Sequence, residues 1–388
     1  MNQTKHTGGR SGQALSTSGI YVQIYPSDLV NASRMLKVAA SVHRAGLFDE
    51  THLVGVRSGD LPAVEPVTDG VLLVRLGGSG RRGAIGQVLR ALLWQPKVFA
   101  HYRRRHVTAV AAHNVWVLPL AWGLSRRAAA PLIYNAHELE TETGARSGLK
   151  KRVAKLIESR LIRKCAVVSV VNDSIADWYE REYDIARPVA VRNIPVARPD
   201  SVGLRERLGV SPDDMLYIHT GNLTIGRNIP LILTAFAASA HHVVFIGNGP
   251  LQSEVTAAAL VHPNIHWLPS VPHDLVVAHV READVGLCLI EVQLDLSYRL
   301  ATPNKLLEAL AAGTPALCSD MVEAQRLLGE LAVDWIITNP AEDLAGALES
   351  IRKSDVEKFR SRWRIDLSWG SEVAPLVAAY RRVLAAKA

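Results

Sequence analysis

Hydrophobic and polar residues follow two alternating patterns along this chain. Short runs rich in β-branched residues, such as residues 20–24, favour strands, whereas apolar residues three or four positions apart, as in residues 31–44, favour amphipathic helices. The alternation predicts a mainly parallel sheet with helices on both faces. In the first half the predicted strands are 20–24, 52–56, 71–76, 107–113, 131–135 and 166–171, and the predicted helices are 31–44, 83–99, 115–124 and 149–164.

The alternation breaks once, near the middle of the chain. Residues 192–200 contain Pro195 and Pro199 and show no periodicity, which is typical of a domain linker. Because 388 residues exceed one hydrophobic core, we expect two α/β domains, at residues 20–195 and 196–365. In the second half the predicted strands are 215–220, 242–246, 265–268, 285–290 and 315–318, and the predicted helices are 229–240, 251–260, 275–282 and 304–312.

Composition adds a cellular context to this picture. Residues 1–19 are polar and lack the apolar region of roughly 7–15 residues that a signal peptide needs, so we expect a disordered leader. The sequence contains no run of about 18 apolar residues, so it predicts no membrane-spanning helix. Cys165, Cys288 and Cys318 lie in apolar surroundings without the spacing of metal ligands. They are expected to be reduced core residues of a cytoplasmic protein.

The charge of the chain is unevenly distributed. Residues 1–200 contain 28 Lys and Arg against 16 Asp and Glu, a balance of +12, while the remainder has 16 against 21, a balance of −5. This asymmetry predicts a basic face for an anionic partner: phospholipid head groups, a lipid phosphate or nucleic acid. Nucleic acid is disfavoured because no base-reading motif is present.

Two predicted helices in the basic half mix cations with leucine and aromatic residues, as helices on anionic bilayers do. We therefore predict peripheral binding to the cytoplasmic membrane face, the alternative being a solvated face packed on the sheet. The residues are Arg81, Arg82, Arg90, Lys97, Arg103, Arg104 and Arg105 with Leu89, Leu92, Leu93, Trp94, Phe99 and Tyr102, and Lys150, Lys151, Arg152, Lys155, Arg160, Arg163 and Lys164 with Leu156, Ile157 and Leu161.

Two loops of the second half have the residues of a phosphate site. Ligands of doubly wound sheets bind at the carboxyl ends of strands, where glycines let the backbone approach a phosphate and helix N-termini present free N–H groups. Residues 220–228 contain Gly221 and Arg227, a cation with a fork of donors. Residues 246–250 contain Gly247 and Gly249. The alternative is a pair of ordinary turns with a solvated arginine.

A third loop leads into a helix with paired charges. Pro303 is suited to a helix start, and Lys305 and Glu308 are three residues apart, so they share one face. A cation at an exposed helix N-terminus suits a diphosphate, and a carboxylate one turn later can accept both hydroxyls of a ribose. The alternative is a surface ion pair. The second half has no evident paired-Asp metal motif.

These segments resemble the retaining GT-B glycosyltransferases of family four, the group 1 glycosyltransferases. The resemblance runs from about Ile20 to the C-terminus and is strongest at residues 303–315, 221–228, 247–250 and 283–287. It implies two doubly wound, Rossmann-like domains that face each other across a cleft, the first binding the acceptor and the second the nucleotide. A C-terminal helix within residues 366–388 would cross back to the first domain.

The resemblance also implies an activity. A hexose or related sugar would pass from a UDP- or GDP-sugar to a lipid-linked, glycan or small-molecule acceptor, with retention of configuration and without a cofactor. Such retention is thought to use front-face attack assisted by the leaving phosphate, so His137 would position the reactants rather than act as a base. A sugar-nucleotide epimerase and a non-catalytic relative are the alternatives.

Matching the family motifs residue by residue assigns three groups in this chain. The donor-binding residues would be Gly221, Asn222, Arg227, Asn228, Gly247, Gly249, Val271, Pro272, Pro303, Asn304, Lys305 and Glu308. The catalytic residues would be His137, Arg227 and Lys305. The acceptor-side residues would be Asn31, Arg34, His113, His137 and Glu138.

The chain departs from the family pattern at two positions. Leu300 stands where relatives often have a Glu that touches the sugar, a role that Asp295, Glu291 or backbone groups would have to take. Asn222 replaces an Arg that usually follows the phosphate-loop glycine. One diphosphate cation is lost, which gives Arg227 and Lys305 more weight.

Overall fold

The computed structural model describes residues 17–30, 32–77, 84–143, 148–196, 201–365 and 367–387. Strands and helices alternate through most of them, as the hydrophobic pattern predicts. The strands are β1 (Thr17–Ile24), β2 (Phe48–Val56), β3 (Val64–Thr68), β4 (Val71–Leu76), β5 (Val107–Ala112), β6 (Leu132–Asn135), β7 (Val167–Val170), β8 (Val189–Ala190), β9 (Leu216–Thr220), β10 (His242–Ile246), β11 (Ile265–Leu268), β12 (Val285–Cys288), β13 (Ala316–Ser319) and β14 (Ile336–Ile337).

Helices connect most of these strands. They are α1 (Ser33–Arg44), α2 (Ala84–Tyr102), α3 (Leu118–Ala128), α4 (Gly148–Leu161), α5 (Asp173–Tyr183), α6 (Leu204–Leu208), α7 (Ile229–Ala237), α8 (Gln252–Val261), α9 (His273–Arg281), α10 (Leu296–Arg299), α11 (Asn304–Ala312), α12 (Val322–Leu328), α13 (Ala332–Trp335), α14 (Pro340–Ser350), α15 (Lys353–Arg362) and α16 (Trp369–Ala385).

The first sheet has the strand order β3-β4-β2-β1-β5-β6-β7-β8. Its central strand β1 runs parallel to β2 and β5, with Ile24 level with Val54 and Ala112. A buried strand flanked by parallel neighbours reads as a continuous apolar run, which is why its sequence predicts it well.

Two strands of this sheet were not predicted from the sequence pattern: β3 and the two-residue strand β8. β3 is antiparallel to β4 at the edge of the sheet, most of its residues are exposed, and it contains Pro66. Proline is tolerated at an edge because the N–H that it lacks would face solvent. A short, polar edge strand therefore shows neither an apolar run nor a clear alternation.

The second sheet is entirely parallel, in the order β11-β10-β9-β12-β13-β14. This is the strand order of a Rossmann sheet. Successive strands are added toward one edge up to the third strand and toward the other edge from the fourth, so the strand order reverses between the first and fourth strands, here β9 and β12. Thr220 of β9 is level with Ile246 of β10, and Ile246 is level with Leu268 of β11. The loops that follow these three strands therefore begin at one edge of the sheet.

The chain divides into two compact units. The first comprises the described residues within Met1–Tyr134, Lys164–Val167 and Leu376–Ala388, and the second those within Asn135–Arg163 and Val168–Pro375. In the first unit, Tyr380 of α16 lies 3.1 Å from Tyr21 of β1, hydroxyl to hydroxyl. The second unit contains the whole second sheet together with α4 and α5.

Candidate donor site

Two loops meet beside β9 and β12, the strands between which the strand order of the second sheet reverses. Residues 221–228 follow β9, and residues 289–295 follow β12. They are joined by a backbone hydrogen bond, in which the Glu291 N–H donates to the Gly226 carbonyl over 3.2 Å. A junction of this kind at the carboxyl ends of the strands is where open α/β sheets bind ligands.

Helix α11 starts and stops where the sequence predicts. Pro303 is its extended N-cap residue, and Gly313 ends it in the left-handed conformation at φ 70°. Its buried face carries Leu306, Leu307 and Leu310. Burying each of these leucines contributes about 1.5–3 kcal/mol, so the helix is firmly packed and its first turn is held at the edge of the sheet.

Glu308 is the carboxylate that this helix presents to β9. The Thr220 hydroxyl donates to its Oε2 atom over 2.8 Å. The contact fixes the side chain at the carboxyl end of β9. It lies there beside residues 221–228, which we call the phosphate loop. A carboxylate held there can accept hydrogen bonds from the hydroxyls of a ribose.

Lys305 lies one turn earlier and contacts a histidine. Its ammonium Nζ lies 3.0 Å from Nε2 of His219, a fully buried residue of β9. Burial lowers the pKa of Lys305 to about 8, with Cys288 and Glu308 opposing and Arg227 adding to that decrease. The site therefore holds a cation that an anionic ligand would stabilise.

Arg227 is the second cation of the site. Its guanidinium carbon lies 4.9 Å from the centroid of the Tyr298 ring, a cation–π contact. Its Nη1 atom is buried and has no hydrogen-bond partner among the described residues. A buried donor of this kind is costly unless a ligand satisfies it, and an anion would do so best.

Gly247 and Gly249 support the phosphate loop from behind. A Cβ atom on Gly247 would lie 1.9 Å from the Gly221 carbonyl oxygen, and one on Gly249 would lie 2.4 Å from the Leu223 carbonyl oxygen. The Leu223 N–H also donates to the Asn248 carbonyl over 3.0 Å. These two glycines thus allow one loop to pack on the other, whereas Gly221 faces open space.

The remaining predicted donor residues lie at the same edge of the sheet. Val271 and Pro272 follow β11, and Pro272 is the N-cap of α9. Asn222 is exposed, and Asn228 caps α7 with φ 51°. Exposed Asn304 accepts a hydrogen bond from the Asn193 amide over 3.1 Å.

Asn172 is a structural support of the site that sequence reasoning missed. Its Oδ1 caps α5 by accepting from the Ile175 N–H, and its Nδ2 donates to the Leu300 carbonyl and to the Thr302 hydroxyl over 2.7 and 2.9 Å. The segment just before Pro303 is thereby tied down. An Asn after a strand is a cap signal, but it gives no indication of a partner 128 residues away.

The carboxylates considered as replacements at Leu300 have different surroundings. Asp295 caps α10, its Oδ1 accepting from the Tyr298 N–H over 2.7 Å. The partly buried Glu291 follows β12 in the loop that contacts Gly226. Of these two carboxylates, that of Asp295 is used to cap α10 and that of Glu291 is not.

The predicted acceptor residues fall in both compact units. In the first, His113 is buried at the end of β5 with Nε2 2.9 Å from the Gln23 side-chain oxygen, and burial together with nearby Arg34 lowers its pKa to about 3. Arg34 is a buried residue of α1. In the second unit, partly buried His137 and exposed Glu138 follow β6. Asn31 lies outside the described residues.

In the described ranges, no group of three or more His, Cys, Asp or Glu residues is placed to hold a metal ion.

His113 is neutral across the physiological range, since its pKa is far below 7. It is accordingly a neutral hydrogen-bonding residue in this pH range.

Comparisons relate the part of the chain that contains this site to known proteins. Residues 216–354, which include the site, match the family model described as "Glycosyl transferases group 1". A curated relative from Bacillus subtilis (strain 168), "Putative teichuronic acid biosynthesis glycosyltransferase TuaC", is 26% identical over 157 residues. That similarity covers 40% of this chain and 37% of the relative, so the chain aligns with little more than a third of the relative's length.

Solved structures resemble nearly the whole chain. A sucrose-phosphate synthase from Thermosynechococcus elongatus has a TM-score of 0.75 at 14% identity, covering 95% of this chain and 100% of that one. HepE from Anabaena, solved in complex with UDP-glucose, has a TM-score of 0.64 at 15% identity, covering 95% and 99%. The prediction of a GT-B fold is confirmed: the chain has the two-domain α/β architecture of these enzymes.

We predict that Gly226→Ala destabilises the protein by about 1–2 kcal/mol, the cost of a left-handed conformation for a residue with a side chain. Gly226 has φ 82°, and a Cβ atom would lie 2.9 Å from the Tyr298 ring. The melting temperature should fall. Gly346→Ala, in open space within α14, is the control and should raise it. Equal melting temperatures for Gly226→Ala and wild type would contradict the prediction.

We predict that Asn172→Asp costs about 1–3 kcal/mol, because an oxygen then faces the Leu300 carbonyl in place of an N–H donor. The Ile175 cap is retained, so the loss reports on the tie to residues 300–302. Denaturant unfolding measures the change. Asn339→Asp, at the exposed N-cap of α14, is the control and should leave stability nearly unchanged. A loss of the same size in both variants would refute the assigned role.

Proposed function

We propose that this protein is a group 1 glycosyltransferase that takes a sugar from a nucleotide-diphosphate donor bound in the second sheet. The observation that carries the proposal is the convergence of three groups around the first turn of α11: Glu308, Lys305 and the buried Nη1 of Arg227, for which the described part of the chain offers no hydrogen-bond partner. These residues lie within the segment that matches the family model. Their chemistry suits a nucleoside diphosphate better than an uncharged ligand.

Each part of the donor has a proposed partner. Glu308 would accept the ribose hydroxyls, because Thr220 holds it beside the phosphate loop. Arg227, Lys305 and the N–H groups of the first turn of α11 would bind the diphosphate. Val271 and Pro272, after β11, would lie against the base. UDP and GDP both suit this scheme, and a structural relative solved with UDP-glucose makes UDP the first ligand to test.

The proposed mechanism needs these cations most when the leaving group departs. The bond between the anomeric carbon and the diphosphate oxygen breaks as the acceptor oxygen bonds to that carbon, and the acceptor proton passes to the leaving phosphate. Attack from the same face retains configuration. Charge that develops on the diphosphate is stabilised by groups already oriented toward it, which is generally a large contribution to catalysis. His137 would position the sugar.

Sugar recognition would rest on the loop after β12. With Leu300 in place of a carboxylate and Asp295 capping α10, Glu291 is the proposed contact to the sugar hydroxyls. Its backbone already joins this loop to the phosphate loop at Gly226. The transferred group would accordingly be a hexose or related sugar with hydroxyls facing Glu291.

The first sheet would supply the acceptor side. Asn31, Arg34 and His113 are proposed there because His113 and α1 follow the two neighbouring strands β5 and β1, between which this sheet reverses direction. The limits of the two sheets support domains at residues 20–195 and 196–365, with residues 366–388 returning to the first. The acceptor would be lipid-linked, a glycan or a small molecule.

We further propose contact with the cytoplasmic face of an anionic membrane, through helix α4. Its exposed side carries Leu149, Val153 and Leu156, which are 75%, 37% and 48% exposed, beside the exposed cations Lys150 and Arg152. Basic apolar helices bind anionic bilayers through both kinds of residue. In the described part of the chain, no helix is long and apolar enough to cross a membrane.

The opposite side of α4 is anchored to the protein. Glu158 is buried and accepts hydrogen bonds from the hydroxyls of Tyr179 and Tyr183 over 2.7 and 2.6 Å.

Helix α2 is a weaker candidate for membrane contact than its sequence suggested. Trp94 and Tyr102 are buried, with the Trp94 indole donating to the Gly55 carbonyl, so these two aromatics belong to the core.

We expect Glu308→Ala to weaken UDP or GDP binding by roughly 10- to 100-fold, because a hydrogen bond to a charged group contributes about 1.5–3 kcal/mol. Bound nucleotide raises the melting temperature by mass action, so a thermal-shift titration measures the loss. Exposed Glu357→Ala on α15 is the matched control and should respond like wild type. An unchanged nucleotide response in Glu308→Ala would rule out the ribose role.

We expect the protein to float with phosphatidylglycerol vesicles at low salt and to be released at high salt, which screens charges. The triple change Leu149→Ser, Val153→Ser and Leu156→Ser should abolish flotation. The double change Leu260→Ser and Val261→Ser removes residues on α8 that are 90% and 73% exposed, and it should not. Failure of the wild type to float, or equal loss in both variants, would exclude α4 as the membrane contact.

A further inference from the structure

His219 is a buried histidine to which the proposed reaction gives no task. It lies in β9, two residues before Gly221, and its side chain is fully shielded from solvent. Its ring packs beside Phe245 of the neighbouring strand, with centroids 5.6 Å apart. Its described polar contacts are with the Lys305 ammonium, which lies 3.0 Å from Nε2 and 3.5 Å from Nδ1. The ring therefore links the sheet to the charged first turn of α11.

The chemistry of this contact fixes the state of the ring. Burial, together with the positive charges of Lys305 and Arg227, holds the pKa of His219 well below its usual range, so the imidazole is neutral. A neutral imidazole has one nitrogen that accepts and one that donates. Because the ammonium can only donate, we assign the nearer nitrogen, Nε2, as the acceptor and Nδ1 as the protonated nitrogen.

We propose that His219 is a positioning residue: its neutral Nε2 holds the Lys305 ammonium in place for the diphosphate of the donor. The inference rests on the proposed function, since it assumes that Lys305 contacts the diphosphate. Lys305 is otherwise a long, flexible side chain with several rotamers. An acceptor built into the sheet removes that freedom before the ligand arrives, which lowers the entropic cost of binding.

The surroundings of Lys305 make this contact measurable. The titratable and charged groups that face it are His219 of β9, Cys288 of β12, Arg227 of the phosphate loop and Glu308 of α11. Burial lowers its pKa to about 8, so the free protein loses the ammonium proton as the pH rises through that value. A bound diphosphate favours the charged form and raises the pKa again. Binding should therefore take up a proton above pH 8 and none near pH 7.

Calorimetric titration with UDP tests this directly. Measurements at pH 7, 8 and 9, in buffers of different ionisation enthalpy, give the number of protons taken up. The terminal phosphate of UDP titrates near a pKa of about 6, so it is fully ionised over this range. We expect uptake that approaches one proton at pH 9. We also expect Kd to rise, by up to tenfold per pH unit, above the pKa of Lys305.

Variants at position 219 separate positioning from packing. In His219→Gln the amide oxygen can reach Lys305, and we expect a Kd within about threefold of wild type with the same pH dependence, set by that retained acceptor. In His219→Leu the side chain keeps a similar volume but has no hydrogen-bond acceptor. We expect at least tenfold weaker binding for it, from the lost hydrogen bond to a charged group. Its decline in affinity should also begin at lower pH, since the ammonium has lost its partner.

The outcomes discriminate between the two proposals. If UDP and GDP fail to bind wild type at every pH, both the donor site and the role of His219 are wrong. If nucleotide binds wild type but His219→Leu binds it equally well with the same pH dependence, only the role of His219 is wrong. If His219→Leu does not fold, an absence of proton uptake by wild type at pH 9 still overturns the inference, because it shows that Lys305 does not meet the diphosphate.

Discussion

The close packing of α11 on β12 is the constraint on which the candidate site depends. Gly286 of β12 allows it: a Cβ atom there would lie 3.0 Å from the Cβ of Ala309. The helix buries Leu306, Leu307 and Leu310, and its charged residues are then fixed relative to the strand ends. Lys305 and Glu308 are long side chains on a flexible surface in any isolated helix. On this helix they meet His219 and Thr220, the last two residues of β9.

Around that helix, each charged group of the site is held by a neighbour that is not itself a candidate ligand contact. Thr220 holds Glu308, His219 holds Lys305, and Tyr298 lies against Arg227. In the proposed reaction such preorganisation matters because charge appears only as the diphosphate leaves, and groups already in place need no reorientation at that moment. On the proposed assignment, Arg227 and Lys305 would compensate for the cation that is absent at Asn222.

How much of this was readable from the sequence depends on how local each feature is. The strands and helices follow from apolar periodicity, and the donor helix follows from Pro303, from Gly313 and from the spacing of Lys305 and Glu308. These signals lie within about ten residues of each other. Asn172 and His219 act on partners 128 and 86 residues away, and no local pattern contains such a pairing.

The faces of the two basic helices illustrate the same limit. Trp94 and Leu156 occur in similar mixtures of cations and apolar residues, yet Trp94 is buried and Leu156 is half exposed. The sequence gives the composition of a helix, but the sheet against which it packs decides which side is covered. Helix α4 is covered on the side of Glu158, so its leucines at positions 149 and 156 are left outside.

The same reasoning separates nucleotide recognition from sugar recognition. The groups proposed for ribose and diphosphate lie on a packed helix and a loop closed by backbone hydrogen bonds, so their positions are fixed by the fold. The groups proposed for the sugar lie between Glu291 and Leu300, on a segment held by the Asp295 cap and by the tie from Asn172 to the Leu300 carbonyl. Substitutions in this segment can alter the contacts to the sugar while β9, β12 and α11 keep the nucleotide in place. On the proposed assignment, sugar choice can therefore change without loss of nucleotide binding, which is consistent with a leucine at position 300 in a chain that keeps Arg227 and Lys305.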